Sequence, residues 1–230
     1  MRRDIVHRQV DSGWQILLAL LVVDIMDVLL SDMLTVERLF SSQADPWSDL
    51  IYLAVSTVLF LTAFVFWLNK NTKLSRIASF IYLGWVALGL VISVVTLILT
   101  LPLRAVEGIG FNLLWDALIV WLVNIITAAV AYWLVDGGGP HERVKANASR
   151  RDFIFPQQAN SFPDWSEWRP EFIDYIFLAF NTSTAFSPTD TLILSARVKI
   201  LSMLQSAISL ITIAALAACA VNIIAQSFNI

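Results

Sequence analysis

Residues 170–199, PEFIDYIFLAFNTSTAFSPTDTLILSARVK, decide the fold. The opening part, Pro170 to Ser183, reads as a helix of about 14 residues, which rises only about 21 Å against a hydrocarbon core of about 30 Å. A polar connection from Thr184 to Thr191 follows, and then a long apolar helix running to Gln226. A half-length helix that runs straight into a turn predicts a segment that enters a membrane and folds back on the side from which it came. Backbone outside a helix at that depth has to be buried in protein or line a water-filled cavity. The upstream helices, or other copies of the chain, are therefore expected to enclose it.

Working outward, four apolar runs precede this stretch: Trp14 to Leu34, Ser48 to Leu68, Ile77 to Leu101 and Phe111 to Val135. Each has about the 20 residues needed to span. Trp14, Trp47, Trp67, Tyr132 and Trp133 stand at the ends of the runs, where an interfacial aromatic belt is expected. The 230-residue chain is 58% hydrophobic and 14% charged, with a mean hydropathy of +0.73, a composition that belongs to multi-pass membrane proteins. The expectation is an all-α integral membrane bundle with about five transmembrane helices and a short re-entrant segment. It divides into a four-helix region (1–136), a polar and aromatic interfacial linker (137–169) and a C-terminal hairpin (170–230).

Gly137-Gly138-Gly139-Pro140 closes the fourth run. A phosphate-binding loop would lead from a strand into a helix and carry a Lys-Ser/Thr pair, so helix termination is the expected role. Arg2 and Arg3 ahead of the first run resemble the start of a secretory signal, but no small-residue cleavage site follows, and an uncleaved anchor is expected. If the four runs cross and the half-length helix turns back, all 15 basic residues except Arg38 and Arg104 fall on one side. That asymmetry predicts a cytoplasmic N-terminus and a hairpin dipping in from the cytoplasm.

The net charge of −3 is scattered and gives no nucleic-acid surface. Cys219 is the only cysteine, so no disulfide forms within the chain. His7 and His141 lie far apart, without metal-ligand spacing, and no nucleophile turn, paired-cysteine motif or nucleotide fingerprint appears. No catalytic residue, metal or cofactor is expected, and an enzyme is the least supported class.

The segment DYIFLAFNTSTAFSPTD, Asp174 to Asp190, resembles the pore helix and filter of two-helix potassium channels and matches its length without a gap. Thr182, Thr184 and Asp190 fall where that pattern has Thr, Thr and the closing Asp. The stretches Trp121 to Asn124, Tyr132 to Pro140, Asp152 to Pro156, Phe186 to Asp190 and Ala220 to Ile223 are similar to an uncharacterised bacterial family of multi-pass membrane proteins with a channel-like C-terminal hairpin. The resemblance covers roughly the C-terminal half. It implies a channel-like fold in the bacterial cytoplasmic (inner) membrane. A potassium filter, however, relies on stacked carbonyls whose backbone needs glycine. Here Ser187 and Thr189 occupy the two glycine positions, with Pro188 between them, so a potassium-type filter is not expected.

Three groups of residues are candidates for function. The first is the loop: Thr182, Thr184, Phe186, Ser187, Pro188, Thr189 and Asp190. Its Ser187-Pro188-Thr189-Asp190 tetrapeptide also reads as Ser at the N-cap, Pro at the first turn and an acid at the third position, capping the last helix. The second is a polar stripe at helical spacing on that helix, Ser202, Gln205, Ser209 and Thr212, continued by Cys219. It suits either a wet path or hydrogen-bonded helix packing. The third is Asp24 and Asp27, one turn apart near the bilayer middle, with Asp116 and Asn124 as partners on another helix. They suit an ion or proton relay, or a pair of protonated acids bonded to neighbouring helices.

Together these predict an oligomeric, pore-loop-like channel for small ions. Its partners would be the lipid bilayer and further copies of the chain. The alternatives are a non-conducting scaffold or partner-binding subunit and a proton-coupled transporter using Asp24 and Asp27.

Overall fold

The computed structural model describes residues 13–29, 46–104, 110–143, 151–160, 168–188 and 190–227. Helix α1 runs Gly13–Leu29, α2 Pro46–Leu68, α3 Thr72–Arg104 and α4 Gly110–Val135. A 3-10 turn at Asp136–Gly138 leads to a short helix α5, Pro140–Arg143. Strand β1 (Phe153–Ile154), the short helix α6 (Pro156–Ala159), the half-length helix α7 (Phe172–Thr184), strand β2 (Leu192–Ile193) and the last helix α8 (Ala196–Ser227) complete the chain. Four of these helices, α2, α3, α4 and α8, are long and apolar enough to cross a membrane, and α1 is a shorter apolar helix.

The Leu, Ile, Val and Ala runs form helices because that geometry satisfies each backbone polar group within the segment. Helices α2 and α3 are joined by a tight turn in which Lys70 takes a left-handed conformation (φ 55°), and the Asn71 side chain accepts from the Leu74 N–H at 3.2 Å to start α3. So short a link makes them antiparallel neighbours. Tyr52 stacks on Trp85 across the pair, its hydroxyl against Gly89, where any Cβ would collide with it.

Helix α4 is the centre of the bundle. It packs against α1, α3, α7 and α8, and its span is 67% buried, against 11% for that of α2. Its C-terminus is set by Gly137, Gly138 and Gly139, whose φ values of 58°, 86° and 97° only glycine adopts without strain, so the triplet terminates the helix. Helix α7 has 13 residues, and both it and α8 start at the end of the bundle where α4 finishes. The segment after α7 returns to that end, where β2 pairs antiparallel with β1 (Phe153 opposite Ile193, Ile154 opposite Leu192) and the Leu194 N–H donates to the Asp152 carbonyl at 2.9 Å. The half-length helix and its fold-back are thus present in the chain path.

The structure corrects three expectations. Ser187-Pro188-Thr189-Asp190 does not cap the last helix, which begins at Ala196. The chain needs residues 190–195 to reach back and pair with β1, so helix formation waits until that return is complete. Tyr132 and Trp133 are not belt residues but are 0% and 1% exposed. The linker, expected to hug the interface, carries Asp152, Phe153 and Phe155 into the core, where the two Phe rings pack edge-on to Tyr175.

Candidate functional site

The chemistry-bearing side chains collect in three places, and the densest is a knot at the C-terminal end of α4. A helix leaves its last four carbonyls without intrahelical partners. Here three arginines from three elements take them. Arg143 of α5 donates to the Trp133 and Asp136 carbonyls at 2.8 and 3.0 Å, Arg76 of α3 to Leu134 at 3.3 Å, and Arg197 of α8 to Val135 at 3.1 Å. Cations are favoured there because the helix dipole is negative at that end.

Two buried carboxylates offset part of that charge. Asp136 accepts from the backbone N–H groups of Asp152 and Phe153 at 3.0 and 3.3 Å and from the Tyr175 hydroxyl at 2.5 Å, with Arg143 at 3.7 Å. Asp152 accepts from the Gly137 N–H at 2.9 Å and is held by both Nε and Nη2 of Arg197 in a fork. The Arg143 guanidinium lies over the Trp133 ring, 4.5 Å from its centre, and 5.4 Å from that of Tyr175. The knot ties α3, α4, α7, α8 and the linker together at one level.

Burial alone would push the Asp152 carboxyl up, but Arg197 and the Gly137 N–H more than offset this and hold it below the ordinary carboxylate range. A lowered folded value means the fork stabilises fully above the unfolded value of about 3.9 and fades as pH falls through the folded one. Thermal unfolding followed toward acid pH is expected to show this loss, and Asp152→Asn to flatten it. Parallel profiles for the two proteins would contradict the assignment.

The second place is the stripe on α8. Gln205 donates from Nε2 to the Ala179 carbonyl at 2.7 Å and to Ser183 Oγ at 2.9 Å, and its Oε1 accepts from the Tyr132 hydroxyl at 2.5 Å. Asn124 Nδ2 donates to the Gln205 carbonyl at 3.1 Å and to Ser209 Oγ at 2.8 Å, and Ser209 reaches Ser183 at 2.9 Å. The Thr212 hydroxyl turns back to the Ile208 and Ser209 carbonyls of its own helix. Ser202, Gln205, Ser209 and Thr212 are all buried, as is Cys219. Within one chain the stripe therefore faces α4 and α7.

Asp24 forms the third place. It is buried between α1, α2 and α3, accepting from the Ser56 hydroxyl and from the Tyr82 hydroxyl at 2.7 Å, while Tyr82 also lies 3.0 Å from the Leu20 carbonyl. Asn124 is not among its partners but belongs to the Gln205 network. Asp116 is fully buried in α4. Asp27 is on α1, but its side chain lies outside the described residues.

In the loop, Thr182 is buried, Thr184, Phe186 and Asp190 are exposed, Ser187 and Pro188 are half-buried, and Thr189 lies outside the described residues. Phe186 has a positive φ of 54°. Among the described residues, no group of three or more His, Cys, Asp or Glu is placed to hold a metal ion.

Asp136, Asp152, Arg143, Arg197, Tyr175 and Ser183 are not among the candidate site residues read from the sequence. The signals present were an acid directly before a glycine triplet and arginines that entered only as topology charges. The fold and these clusters define a helical bundle with four apolar helices long enough to cross a membrane. Comparison with protein-family models, with curated proteins and with solved structures found no match.

Proposed function

We propose that this chain is an integral membrane protein whose C-terminal hairpin is a packing element, making it a non-conducting scaffold or partner-binding subunit. In this reading α7 enters the bilayer from the positively flanked, cytoplasmic side and the chain turns back, with the knot at that surface. One observation carries it: Gln205, Ser209, Asn124, Ser183 and Tyr132 bond to one another inside a single chain. Opening a wet path along Ser202, Gln205, Ser209 and Thr212 would break contacts that polar side chains in a membrane make as helix glue.

The experiment is reconstitution of the full chain into liposomes with voltage and with potassium, sodium and proton gradients applied. No flux above that of empty vesicles is expected. Flux that changes with Gln205→Leu or Asp190→Ala would overturn this reading in favour of the small-ion channel. That second reading is favoured by the 13-residue α7 with its fold-back and exposed Thr184 and Phe186, the outline shared with the pore loop that the hairpin resembles.

A further inference from the structure

We propose that the outward face of α7 is where two copies of this chain meet, with the Asn181 carboxamides of the two copies paired across the contact. The proposal rests on the membrane reading above. Polar side chains along this part of α7 are otherwise provided for. The Thr182 hydroxyl donates to the Leu178 carbonyl at 2.8 Å, Thr184 to that of Phe180 at 3.0 Å, and Ser183 sits in the Gln205 network. Asn181 differs: its backbone carbonyl accepts from the Ala185 N–H at 2.8 Å, but its half-buried carboxamide makes no hydrogen bond among the described residues.

Its depth makes that costly. Ala179 and Ser183, on either side, are bonded to Gln205, and Ser183 also to Ser209. Asn181 therefore lies level with that part of α8, about 13 to 20 Å from the helix start and near the middle of a hydrocarbon core of about 30 Å. Lipid tails offer an amide neither a donor nor an acceptor. The surrounding surface, Ile173, Phe177 and Phe180, is 62%, 57% and 45% exposed and carries no charge to select a foreign partner.

A carboxamide is its own complement, since each brings both N–H donors and a C=O acceptor. Two of them about a twofold axis satisfy each other with no further side chain, which is what an isologous contact requires. That self-complementarity favours a second copy of this chain as the occupant.

The test uses the full chain in liposomes over a dilution series of protein in lipid, with dimer fraction read by single-molecule photobleaching. A dimer is expected whose dilution midpoint shifts toward monomer by about tenfold or more in Asn181→Leu. Thr184→Val, whose hydroxyl serves only its own helix, should leave the midpoint in place. Independently of how Asn181→Leu folds, Phe177→Cys in a Cys219→Ser background should give a covalent dimer on mild oxidation, and the still more exposed Met203→Cys on α8 should not. A monomer at every dilution, a midpoint indifferent to Asn181→Leu, or no covalent dimer from Phe177→Cys would overturn the proposal. Ion flux from dimeric vesicles would instead sink the scaffold reading and leave the paired face standing.

Discussion

Asp136→Ala is expected to destabilise the protein by about 3–5 kcal/mol, the range found when one partner is removed from a buried, hydrogen-bonded charge pair. At roughly 2–4 °C per kcal/mol for a chain of this size, the thermal midpoint in detergent should fall by about 6–20 °C. The reason is the number of donors left behind. The N–H groups of Asp152 and Phe153 and the Tyr175 hydroxyl all point at this carboxylate, and Arg143 beside it would lose its counter-charge in a site nine-tenths closed to solvent. Tyr175→Phe removes one of those bonds and keeps the ring among Trp133, Phe153 and Phe155, so its cost should be only about 1–3 kcal/mol. Equal losses for the two variants would mean that the carboxylate acts through the Tyr175 hydroxyl alone, and not through the Asp152 and Phe153 N–H groups or Arg143.

Gln205→Leu should rank next, at about 2–4 kcal/mol, because each buried polar group left without a partner costs about 1–3 kcal/mol. The substitution takes the acceptor Oε1 from the Tyr132 hydroxyl and one partner each from the Ala179 carbonyl and Ser183. The instructive comparison is Thr212→Val on the same stripe. The Thr212 hydroxyl bonds only to carbonyls one turn back, so valine should be tolerated within about 0.5 kcal/mol. Both are read from thermal unfolding in the same detergent. A stripe that lined water would abolish the difference, since leucine facing a channel strands nothing.

Much of the fold was legible because it follows from lengths. The runs ending at Leu68 and Val135 stop where α2 and α4 stop, and Pro170 to Ser183 is the half-length helix within two residues at either end. The glycine triplet marked the end of α4 for a local reason, backbone conformation, that needs no tertiary knowledge. The start of α8 was misplaced for the opposite reason. Ser187 to Asp190 carries a good local capping pattern, but pairing between β2 and β1, some 40 residues apart in sequence, keeps the following residues extended.

The candidate sites divide the same way. The stripe residues were identifiable from spacing, whereas their partners Asn124, Tyr132 and Ser183 come from other helices and carry no shared local signature. Asp24, a candidate by its place in an apolar run, is buried among three helices, but Ser56 and Tyr82 had no feature to single them out. Arg143 and Arg197 stood out only as positive charges near a membrane surface. That they converge on one helix end is a property of the folded chain, since Arg76, Arg143 and Arg197 are far apart in sequence.

The three-arginine closure of α4 has a consequence for how the chain comes to be built. Arg76 precedes α4 in synthesis, Arg143 follows it closely, and Arg197 arrives last, after the hairpin has been made. Until then the Val135 carbonyl and the Asp152 side chain lack their guanidinium partner, so the central helix is made well before its end is sealed. Completion of the bundle is thereby coupled to delivery of the final helix, and a nascent chain halted before Arg197 would leave the Val135 carbonyl and the Asp152 carboxylate without their guanidinium.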